Sequence, residues 1–176
     1  MFDVALFAKI FGFAGIASTV VIYQQKTRKG LLLSKLISDV LWFLHYFCLG
    51  AYSGAGIAVI GLVRELIFMN REKKWAKHWA WLVFFLVLSV VSALVTWKGW
   101  ASLLPMVASM LAVVGFWIGK PRISRLMSFP IAGSMLIYDV GLNPMSVAGI
   151  INELLAIGSS VVGIIRYDRP QKEEIK

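Results

Sequence analysis

Apolar residues run along this chain in seven stretches separated by short polar breaks. A helix needs about 20 apolar residues to cross a hydrocarbon core, fewer where the bilayer thins. The stretches predict spans at 4–23, 31–49, 55–69, 79–97, 101–118, 126–140 and 145–165. The third carries Arg64 and Glu65. The fourth has no ionisable residue, and its polar positions are Ser89, Ser92 and Thr96. Trp75, Trp79 and Trp81 stand at one end of it, Trp97 and Trp100 at the other. Such tryptophans mark the two membrane interfaces. A helix this plain is expected to be a lipid-facing tether rather than a pathway wall.

The polar breaks alternate in charge. Lys26, Arg28 and Lys29 follow the first span, Arg71, Lys73, Lys74 and Lys77 the third, and Lys120, Arg122 and Arg125 the fifth. The seventh ends in Arg166, Arg169, Lys172 and Lys176, whereas Lys98 is the only cation in the breaks after the second, fourth and sixth. Short cytoplasmic loops collect Lys and Arg, which predicts an outside N-terminus and a cytoplasmic C-terminus. A 59% hydrophobic composition with mean hydropathy +0.78 excludes an ordinary soluble domain. The net charge of +9 is then a topology signal and is expected to hold anionic lipid. Its division among loops argues against nucleic acid. Cys48 is alone in an apolar run, which excludes a disulfide framework and a zinc site. Asp3 in place of a basic leader, with no small-residue cleavage site before the first basic loop, predicts a retained first helix.

The two ends of the chain resemble each other. Lys26-x-Arg28 precedes Leu32 and Ser34 as Lys120-x-Arg122 precedes Leu126 and Ser128. Ser53-Gly54-Ala55-Gly56-Ile57 matches Ser146-Val147-Ala148-Gly149-Ile150. The pattern predicts an all-α membrane protein with two three-helix repeats, 1–70 and 101–168, a linker helix within 71–100, and a cytoplasmic tail, 169–176. A three-span unit ends on the side opposite its start, so the inserted fourth helix makes the two repeats parallel.

Seven spans arranged three, one, three resemble the SWEET and PQ-loop superfamily of small-solute transporters. The chain is more closely similar to the YgjV-type bacterial inner-membrane proteins. The residues carrying this are Leu44-His45-Tyr46-Phe47-Cys48-Leu49-Gly50-Ala51-Tyr52, Arg64, Leu104-Pro105-Met106-Val107, Glu153 and Ile164-Ile165-Arg166-Tyr167. The resemblance implies a multi-pass inner-membrane protein with a solute pathway between two bundles. SWEET-type first helices carry a hinge proline. Met110 stands in that position here, the first span has no proline, and Gln24-Gln25 replaces Pro-Gln. The relatives also have an asparagine on the third helix of each repeat. Asn152 supplies one, while Val59 fills the matching place in the first repeat.

Ionisable groups within spans cost about 2.5–3.5 kcal/mol each at a helix centre, so they are functional candidates by default. Lys35 is expected to snorkel to the cytoplasm and Lys9 toward the outer surface or Asp3. Arg64 is expected either to reach the interface or to form an intramembrane ion pair with Asp39 or Glu153. Asp39, Trp42 and His45 recur at threes along one face of the second span. Tyr138 and Asp139 occupy the corresponding place in the second repeat. Parallel repeats would set them across a central axis, forming a polar outer vestibule. The expected solute pathway comprises Trp42, His45, Tyr138, Asp139, Asn152 and Glu153. Asn152 offers donors and an acceptor, and Glu153 is the candidate proton-coupling group. No nucleophile with a base, phosphate loop or metal spacing is present in the sequence, so neither an enzyme nor a cofactor or metal is expected. Two readings follow: a transporter of a small polar solute in the lipid bilayer, with or without proton coupling, and a membrane scaffold that keeps the fold without transporting.

Overall fold

The computed structural model describes residues 4–168. Asp3 and the tail with Arg169, Lys172 and Lys176 lie outside the described residues. Within them are seven α-helices and one 3-10 turn. The helices are α1 (Val4–Ile22), α2 (Arg28–Cys48), α3 (Tyr52–Met69), α4 (Ala80–Val95), α5 (Leu103–Ile118), α6 (Pro121–Gly141) and α7 (Val147–Tyr167), and the turn is Trp100–Ser102. Each expected span falls on one helix. Five segments are long and apolar enough to cross a membrane: α1, α2, α3, Trp100–Ile118 and α7. Helix α4 is apolar but only 16 residues long, about 24 Å at 1.5 Å per residue. Helix α6 has the length but carries Arg122, Arg125 and Asp139.

Local chemistry sets the ends. The Thr27 hydroxyl accepts from the Gly30 amide at 3.1 Å and caps α2, and the Ser146 hydroxyl accepts from the Gly149 amide at 3.0 Å and caps α7. Gly119 ends α5 in the left-handed conformation, φ 74°. Pro121 then opens α6 at a position where a missing N–H costs nothing. Helix α6 therefore begins before the expected boundary at 126, and Arg125, counted above as a loop charge, lies inside it with 1% of its surface exposed. Pro105 sits in the first turn of α5, where it frees no carbonyl and does not loosen the helix. Pro130 is interior to α6, and the Ser134 hydroxyl donates to its carbonyl at 2.9 Å.

Six helices pack in a circuit: α1 on α2, α2 on α3, α3 on α5, α5 on α6, α6 on α7, and α7 on α1. Helix α4 lies against α5 and α3. It buries one stripe, Phe85, Ser89 and Ala93, at a spacing of four. Ser89 and Ser109 share a hydrogen bond of 2.8 Å across the α4–α5 contact. Val83, Phe84, Val87, Val91, Leu94 and Val95 face outward. Trp79, Trp97 and Trp100 are exposed at its ends, whereas Trp81 turns in to stack on Phe85 with centroids 6.2 Å apart. Buried apolar residues form two clusters. One gathers Tyr23, Leu31, Leu32, Phe68 and Phe116 near the basic breaks. The other gathers Trp42, Tyr46, Ala51, Ala55, Tyr138 and Ala148 at the opposite helix ends.

Candidate functional site

Between these clusters lies a cavity of about 120 Å³. Its walls come from all six helices of the circuit: Thr19 on α1, Asp39 and Trp42 on α2, Ala58 and Arg64 on α3, Ser109 on α5, Met135 on α6, and Asn152 and Glu153 on α7. No residue of α4 lines it. Small residues permit the close approach around it. A Cβ on Gly15 of α1 would meet the Trp42 ring at 2.9 Å, and a Cβ on Gly61 of α3 would collide with the Asp39 carboxylate.

Polar groups line this space with only part of their bonding capacity used. Lys35 donates to Asp39 Oδ1, while Asp39 Oδ2 has no partner. Asn152 Nδ2 donates to Glu153 Oε1 at 2.8 Å, leaving Asn152 Oδ1 without a partner. The Trp42 indole N–H is also unpaired. Arg64 pairs with its neighbour Glu65 at 2.8 Å and lies over the Phe116 ring at 5.2 Å. The expected Arg64 pairing with Asp39 or Glu153 is thus replaced by a bond within α3, and Lys35 turns to Asp39 and the cavity instead of snorkelling away.

The expected pathway residues separate into two sets. Trp42, Asn152 and Glu153 line the cavity together with Asp39 and Arg64. His45, Tyr138 and Asp139 form a layer toward the non-basic end, outside its walls. His45 Nδ1 lies 2.8 Å from the Ala8 carbonyl and must donate to it, so Nε2 of the neutral ring accepts from the Ser146 hydroxyl at 2.9 Å. Tyr46 donates to Asp139 Oδ1 at 2.9 Å. The Gly54 amide donates to the Tyr138 hydroxyl at 3.3 Å. Tyr46 packs edge-on against both His45 and Tyr138, with centroids 5.2 and 6.3 Å away. Beyond this layer is a vestibule of about 200 Å³ with Ser53, Lys98, Ser102, Tyr138 and Asn143 in its walls. Neither His45 nor Asp139 reaches it. The Tyr138–Gly54 hydrogen bond therefore joins the vestibule wall to the cavity wall.

Arginines tie the helix ends on the basic side. Arg125 donates to the carbonyls of Tyr23 at 3.2 Å and Gln25 at 3.0 Å, just past α1, and pairs with Asp168 at 2.8 Å. A Cβ on Gly163 of α7 would meet its Nε at 2.8 Å, so the glycine makes room for the guanidinium. Arg28 donates to the Phe116 carbonyl at 3.4 Å and Arg71 to that of Trp117, at the end of α5. Each arginine satisfies carbonyls that a helix terminus leaves open. The sequence reading did not assign Tyr23, Tyr46, Glu65 or Arg125 to the site. For Tyr46 the signal was present: it and Asp139 are 93 residues apart, the offset of the repeat.

No match to the chain was found among curated proteins or among solved structures. Several long apolar helices make contact with a lipid bilayer. Residues 6–171 match the family model Imp-YgjV, bacterial inner membrane protein, and the chain belongs to that family of membrane proteins.

Proposed function

We propose that this protein is a transporter or facilitator of a small polar solute, SWEET-like in architecture, with α1–α3 and α5–α7 as parallel bundles and α4 as the linker. The observation that carries the reading is the polar cavity lined from six helices and skipped by α4. Buried unpaired polar groups are costly in an apolar surround, and a pathway for water and solute supplies their partners. The parallel arrangement draws support from reciprocal contacts. His45 of α2 meets Ser146 at the start of α7, and Tyr138 of α6 meets Gly54 at the start of α3. On this reading all seven helices span the membrane, the basic breaks are cytoplasmic and the N-terminus is outside. Proton coupling would run through Glu153, and no enzymatic chemistry is assigned. Uptake of a panel of small radiolabelled solutes into proteoliposomes tests the reading. Saturable uptake of at least one supports it, and no uptake of any, from a protein that is folded and correctly inserted, overturns it.

A scaffold without transport is the second reading. Its support is the hydrogen-bonded closure at both ends, Tyr138 to Gly54 on one and Arg125 to Tyr23, Gln25 and Asp168 on the other, with no proline in α1 to α3. Such a protein would give no uptake while pulling down a constant membrane partner.

A further inference from the structure

The ion pairs around the central cavity leave one of its carboxylates over. Lys35, Asp39, Arg64 and Glu153 line it. Lys35 is bonded to Asp39, and Arg64 to Glu65. Glu153 is left with a neutral amide, Asn152, as its bonded partner. Glu153 is 7% exposed, and a buried carboxylate without a bonded counter-charge is costly. Asp39 and Asn152, on the same walls, each keep a buried oxygen without a partner, so neither brings a cation of its own to Glu153. An ammonium group carries three donors and no acceptor. Trp42, also on the wall, is an aromatic side chain of the kind that attracts cations.

We propose that this cavity binds a small organic cation, a primary amine whose ammonium group meets Glu153 and whose remaining atoms lie against Trp42. The proposal names the solute class for the transport reading above and rests on it for its physiological meaning. Size limits the ligand. An apolar cavity of about 150 Å³ holds benzene, so about 120 Å³ admits about five non-hydrogen atoms. A free sugar or a bulky amino acid is too large for the cavity in this form.

Ethanolamine, ethylene glycol and glycolate are probes of similar size carrying positive, zero and negative charge. Their binding to the purified full-length protein at pH 7 is measured by isothermal titration. Ethanolamine is expected to bind at least about tenfold tighter than either of the others, the factor that about 1.4 kcal/mol of charge pairing confers. Glu153→Gln should erase that preference and Glu153→Asp should keep it. If Glu153→Gln does not purify as a folded protein, the wild-type ranking of the three probes decides. Equal or tighter binding of glycol or glycolate, no binding of any probe, or an undiminished preference in folded Glu153→Gln overturns the proposal. Flux of the same probes in proteoliposomes separates it from the parent reading. Glycol flux without ethanolamine binding removes the cation assignment and leaves the transporter. Charge-selective ethanolamine binding without flux supports the site and removes the transporter.

Discussion

Replacing Arg125 by Leu should destabilise the protein far more than the loss of a basic residue near a membrane surface ordinarily does. The Arg125 side chain is 1% exposed and its partner Asp168 9% exposed, which puts the pair in the buried regime. Breaking such a pair from one side costs about 3–5 kcal/mol, because the remaining charge is stranded. An exposed pair contributes only about 0–1 kcal/mol. The variant also strands the carbonyls of Tyr23 and Gln25, at about 1 kcal/mol each where water cannot replace the donor. A loss of about 5–7 kcal/mol is therefore expected in reversible unfolding in mixed detergent micelles. Arg125→Leu with Asp168→Leu should recover about 1–4 kcal/mol of it, since no charge is then left alone. A single-variant loss below about 1 kcal/mol would place the pair in the exposed regime and refute the reasoning.

Arg64→Leu should destabilise by a similar margin and be rescued by Glu65→Leu, whereas Glu153→Gln should not rescue it; rescue by the latter in the same unfolding assay would show that Arg64 answers to Glu153. Gly149→Ala should cost about 1–3 kcal/mol, because its Cβ would land on the Asp139 carboxylate, although alanine normally favours a helix. Gly133→Ala and Gly158→Ala, where a Cβ meets nothing within 4 Å, should be neutral or stabilising by up to about 1 kcal/mol; equal melting shifts for all three glycines would contradict the packing described. Single cysteines at Lys74, Lys98 and Asn143, in a Cys48→Ser background, test the orientation in intact cells: an impermeant maleimide should label 98 and 143 and spare 74, and the reverse pattern would invert the topology.

The helix count and breaks were legible because they rest on local chemistry: Thr27 and Ser146 as caps, Gly119 and Pro121 as a stop and a start. The place of α4 was legible for a related reason, since a helix without charges has nothing to hide from lipid. The site was legible only in part. Residues three or four apart share a helix face, so Asp39 and Trp42 came out together and do line one cavity. Whether His45 points into the cavity or across to Ser146 depends on rotation about the helix axis, and one residue of error there is about 100°. Arg64 and Glu65 were hidden by the same geometry, since adjacent helical positions do not normally face each other. The burial of Arg125 is not legible in the sequence, because a count of charges by loop registers sign and not depth.

The contact of Arg125 with the end of α1 also sets an order of events during synthesis. The carbonyls of Tyr23 and Gln25 precede Arg125 by 102 and 100 residues. At about 5–20 residues per second, roughly 5–20 s separate their emergence from that of the guanidinium that satisfies them. Throughout that interval α1 has an open C-terminal turn, and water or lipid headgroups at the interface must hold it until α6 arrives. Asp168 emerges 43 residues after Arg125, another few seconds at the same rate. The last helix thus completes a connection that the first one opened, and a ribosome stalled before α6 leaves a nascent chain with its first helix still unsecured.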